Sequence, residues 1–96
     1  MIRDDIDDPT NPLSEPFQHQ MFDRGTRLEA LRALALTDPE VSKEFRALAA
    51  EQLQACEQLL RASERFPADE PDSPAWVFRR AMSREIEKLR AYARSA

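Results

Sequence analysis

Apolar side chains recur along this chain every three or four positions, in three runs divided by proline-bearing breaks. That period is the signature of helices with one buried face. The first run holds Phe17, Met21, Leu28, Leu31 and Ala35, with Arg24 in its one polar slot. Ser14 is placed to cap its start, and Pro16 falls in a first turn, where a missing N–H costs little. Gly25 interrupts the run, and "TRLE" at 26 to 29 reads as a capping box in which Thr26 and Glu29 bond each other's free backbone N–H groups. The run is therefore one helix over 15–36, or a helical turn, a break at Gly25 and a helix over 27–36. The break is favoured.

"LTDPEV" at 36 to 41 marks a firm boundary, with Thr37 or Asp38 as cap, Pro39 in the first turn and Glu40 at the positive end of the dipole. A second helix follows over 39–65. Val41, Phe45, Leu48, Ala49, Leu53, Cys56, Leu59 and Leu60 trace its apolar stripe, while Glu44, Glu51, Glu57, Arg61 and Glu64 face water. "FPADEPDSP", 66 to 74, is a loop with three prolines and three acids. Ser73 caps a third helix over 74–94, where Phe78, Met82, Ile86, Leu89 and Ala93 form the inner stripe and Trp76 and Tyr92 flank it. Short connections make neighbouring helices antiparallel. The expected architecture is a small antiparallel three-helix bundle within 14–96.

Residues 1–13 lack such a pattern. They hold Asp4, Asp5, Asp7 and Asp8 against Arg3, with Pro9 and Pro12. So little apolar surface cannot offset the entropy of ordering, which predicts a flexible acidic arm. Ile2, Ile6 and Leu13 give it something to dock with on a partner.

Composition supports the all-α reading. One glycine in 96 residues is too few for a turn-rich β fold, and Ala, Leu, Glu, Arg and Gln dominate. Arginine outnumbers lysine twelve to two, as in the products of GC-rich bacterial or phage genomes. No apolar run approaches the ~20 residues that span a bilayer, and the first residues lack the pattern of a signal peptide. The cytoplasm is the expected location. A chain this small buries a limited share of its surface, which favours self-association.

Candidate chemistry is sparse. His19 has Glu15 and Asp23 four residues to either side, but three ligands on a polar segment make a poor metal site. Cys56 lies in the apolar stripe, where a thiol behaves as a small hydrophobe. With one histidine, one glycine and acids on wet faces, neither a catalytic triad, a phosphate-cradling loop nor a carboxylate pair in a cleft is in prospect. No enzyme activity, cofactor or metal is expected.

The remaining signal is charge polarity. The third helix carries six basic side chains against two acidic ones in a chain of net charge −4. Arg80, Arg84 and Lys88, four residues apart, form a ridge with Arg79 beside it. Like charges at that spacing repel mildly, so helix stability does not account for them. Three explanations compete: a solvated face, an acidic protein surface such as the Asp4–Asp5–Asp7–Asp8 arm of the same or a second chain, and nucleic acid phosphates. The acidic pI of 5.0 and the lack of aromatics among the bases weigh against the last. Trp76 beside the ridge is a candidate interface anchor. The functional expectation is a non-catalytic interaction module, a small regulator, adaptor or accessory subunit acting through helical surfaces as a homodimer. A nucleic-acid-associated protein using the basic face is the alternative.

Overall fold

The computed structural model describes residues 8–66 and 70–94. It contains three helices: α1 over Glu15–Ala35, α2 over Pro39–Ser63 and α3 over Pro74–Arg94. Each starts on the device its sequence supplies. Ser14 Oγ accepts from Phe17 N at 3.2 Å, Asp38 Oδ1 from Glu40 N at 3.0 Å and Val41 N at 3.4 Å, and Ser73 Oγ from Trp76 N at 3.2 Å. A proline opens α2 and α3, and Pro16 sits in the first turn of α1, so each helix forgoes an N–H that would have lacked a partner. Ahead of α1, Asp8 Oδ1 accepts from the Thr10 hydroxyl at 2.7 Å and the Thr10 N–H at 2.9 Å. Those bonds lower its carboxyl pKa. A second turn, Ser14 N to Asn11 O at 2.9 Å, leads into the cap.

The favoured break at Gly25 does not occur: α1 is continuous from Glu15 to Ala35. "TRLE" is not used as a cap, and Thr26 Oγ1 instead donates back to Phe22 O at 3.0 Å. A tertiary contact overrides the local breaker. Gln52 of α2 lies over this turn, where its Nε2 donates to Met21 O at 2.8 Å and its Oε1 accepts from Arg24 Nη1 at 2.9 Å. A Cβ on Gly25 would stand 3.4 Å from that Nε2, an ordinary van der Waals contact.

α2 is the central element. Arg27 pairs with Glu44, and Arg24 with Glu51 at 3.7 Å, so α1 and α2 run antiparallel. Tyr92 meets Phe45 near one end of α2 and Arg79 meets Ser63 at the other, so α3 is also antiparallel to α2. α1 and α3 both pack on α2, whereas their own backbones do not approach each other. They meet through side chains: Lys88 Nζ lies 3.5 Å from Glu29 Oε1, and the Arg32 guanidinium 5.5 Å from the Tyr92 ring centre. The bundle is thus an open layer folded around α2. Its core joins Phe17, Met21 and Leu28 to Phe45, Ala49, Cys56, Leu59, Ile86 and Leu89. Among the described residues, no helix is long and apolar enough to cross a membrane.

Candidate interaction surface

The basic ridge is the first candidate, and the fold divides its members. Arg79 reaches across to the C-terminal end of α2, where Nη2 donates to Ser63 O at 3.0 Å and to Phe66 O. Ser63 O also accepts from Phe66 N at 3.0 Å, so Arg79 adds a second donor at this helix end and ties α3 to it. α2 ends at Ser63, two residues before the expected boundary. Lys88 is held between Glu85 at 3.2 Å and Glu29 at 3.5 Å. Burial opposes its charge, but the hydrogen bond and charge of Glu85, helped by Tyr92 and Glu29, leave the ammonium pKa raised. Part of the acidic surface sought for this ridge is therefore Glu29, on α1 of the same chain. Arg80 stacks over the ring of half-buried Trp76, 5.2 Å from its centre, and Arg84 is exposed with no ion pair among the described residues. Asp8 is engaged in its turn with Thr10, while Asp4, Asp5 and Asp7 lie outside the described residues.

The two chemical candidates have ordinary surroundings. His19 and Glu15 form an exposed pair at 3.5 Å. Among the described residues, no group of three or more His, Cys, Asp or Glu side chains is placed to hold a metal. Cys56 is 1% exposed. Burial first, then the charge of Glu85, pushes its thiol up to about 11 against the pull of Arg24 and Lys88. A thiol held neutral in this way is a poor nucleophile at neutral pH.

A second candidate surface comes from α1. At about 100° per residue, Phe17, Met21, Leu28, Leu31 and Ala35 centre on one side of the helix, against α2. Phe22, Thr26, Ala30 and Ala33 fall within about 80° of one another on roughly the opposite side, with Leu34 at their edge. All five are exposed; Phe22 is 75% accessible and Leu34 56%. Leu36, just past the helix, is 86% accessible. A groove of about 600 Å³ runs beside this face, floored by Gln52 and Cys56 and walled by Met21 and Phe22 on one side and Met82 and Leu89 on the other. Glu29 and Lys88 bridge its mouth.

The sequence held the signal for this face. Phe22, Ala30, Ala33 and Leu34 break the amphipathic pattern of the first run, which is apolar on two sides while the other two helices each have one wet side. Comparison with family models, curated proteins and solved structures finds no match for this chain.

Proposed function

We propose that this chain is a non-catalytic cytoplasmic interaction module whose working surface is the outer face of α1. The observation that carries this reading is that α1, from Phe22 onward, has apolar side chains on two opposite faces and only one of them is covered. A helix apolar on both sides is usually buried on both. Covering a Phe or Leu side chain is worth about 1.5–3 kcal/mol, which makes Phe22 and Leu34 natural anchors. The small residues Thr26, Ala30 and Ala33 between them leave room for another helix to lie close. The basic ridge supports this choice by what it lacks. Arg79 is bonded to the end of α2 and Lys88 pairs with two glutamates, which leaves Arg80, Arg84 and, roughly two to three turns on, Arg94 to meet phosphates. Three guanidinium groups on an acidic chain make a thin footprint for nucleic acid.

The test places a photoreactive phenylalanine analogue at Ala33 in the expressed full chain. Matched variants carry it at Gln54, exposed on α2, and at Arg84 on α3. A single defined adduct, identified by mass, is expected from Ala33 and not from the other two. No adduct from Ala33, or equal capture from Arg84, overturns the reading.

A further inference from the structure

We infer that the occupant of the outer face of α1 is the same face of a second copy, the two helices crossing antiparallel with their two-fold axis near Gly25 and Thr26. This rests on the reading of that face as the working surface, and it adds the partner and the register. Two features of α1 point to a second copy in this arrangement.

The first is charge. Asp23 and Arg27 lie on the same flank of the exposed strip, one turn apart and on either side of the Gly25–Thr26 midpoint. In a two-fold antiparallel pair the same flanks face each other. Asp23 then comes level with the partner's Arg27 to within about one residue rise of ~1.5 Å, and the contact occurs twice. Asp23 has no ion-pair partner among the described residues. Arg27 pairs with Glu44 yet stays exposed enough to take a second carboxylate.

The second is shape. In the same register Phe22 comes within about one residue rise of the partner's Ala30, so this large side chain sits beside a small one. Thr26 lies near the axis. A parallel pair would instead set Phe22 against Phe22 and turn the Asp23–Arg27 flank toward the partner's Glu29 flank, so the Asp23–Arg27 contacts would be lost. Glu29, on the other flank, is already neutralised by Arg32 at 3.7 Å and Lys88 at 3.5 Å, so it brings little uncompensated charge to the interface.

Sedimentation of the full chain, combined with a charge swap, tests both the partner and the register. The wild type is expected to sediment at about 22 kDa, twice its 11.1 kDa chain mass, and to dissociate on dilution. Asp23→Arg and Arg27→Asp are each expected to weaken dimerisation about three- to tenfold, because each places like charges together twice. The double variant is expected to recover to within about twofold of wild type. Phe22→Glu, on an exposed position, is expected to leave a helical monomer. Thr26→Cys is expected to oxidise to a covalent dimer, with buried Cys56 left reduced. A wild type that stays at 11.1 kDa up to about millimolar concentration overturns the second copy as occupant. A dimer that Phe22→Glu leaves intact, or one that the double charge variant fails to restore, overturns the register. An Ala33 adduct with a different protein, together with a monomeric wild type, overturns the self-association alone and leaves the α1 face in use.

Discussion

Gln52 shows how one polar side chain sets the geometry of its neighbours. It is 6% exposed, yet both ends of its carboxamide are satisfied, one by Met21 O and the other by Arg24. Buried amides are tolerated on that condition, and losing such bonds leaves their partners unpaired in a dry setting. Gln52→Ala is expected to cost about 2–3 kcal/mol by urea unfolding, from the lost bonds and the space left behind. A loss below about 0.5 kcal/mol would mean that the amide does not clamp α1. Cys56 carries a pH signature of its own. Its folded pKa, raised to about 11 from 9.0, means that the native state keeps the thiol proton when the unfolded chain has lost it. Between those values the native state binds more protons, so stability falls as pH rises. Below pH 9 the contribution is fully present. From pH 8 to pH 11 the urea midpoint is expected to fall further for wild type than for Cys56→Ala; equal falls would contradict the buried, neutral thiol.

At the scale of the helices, α1 is the informative case. α2 and α3 were legible because each carries one apolar stripe, a proline start and a side-chain cap, all of them local signals. In α1 the local signals misled. Gly25 and the capping-box residues favour a break, whereas Gln52, which comes from a later helix, bonds across this turn. That contact joins residues 31 positions apart, beyond the reach of a periodicity reading. The ridge on α3 was legible as charge but not as use: Arg79 and Lys88 acquire their partners, Ser63 and Glu29, only after the helices are packed. The outer face of α1 was legible in principle, as a second apolar side on a helix with room for only one. Gly25→Ala separates propensity from packing. Alanine gains about 0.5–1 kcal/mol in a helix interior, and its Cβ would meet Gln52 Nε2 at an ordinary contact of 3.4 Å. In dilute solution Gly25→Ala is therefore expected to raise Tm by roughly 2–8 °C. A lower Tm would show that α2 needs the glycine.

At the scale of the whole molecule, two helices lie against a third without closing on each other. The layer measures 45 × 36 × 16 Å and leaves a groove on one side and an apolar helix face at its edge. Tyr92 ties the three elements together, packed at a tilt against Phe45 with ring centres 5.1 Å apart and reached by Arg32 and Lys88, so α1 is held in place with its outer face turned away from α2. A second copy added there would extend the layer without disturbing the core. The most direct test of that claim follows the backbone amides of the full chain by NMR over a dilution series. Shifts that depend on concentration are expected at Phe22, Thr26, Ala30, Ala33 and Leu34, with Arg80 and Arg84 unmoved. A spectrum that does not change with concentration, or changes centred on α3, would contradict it.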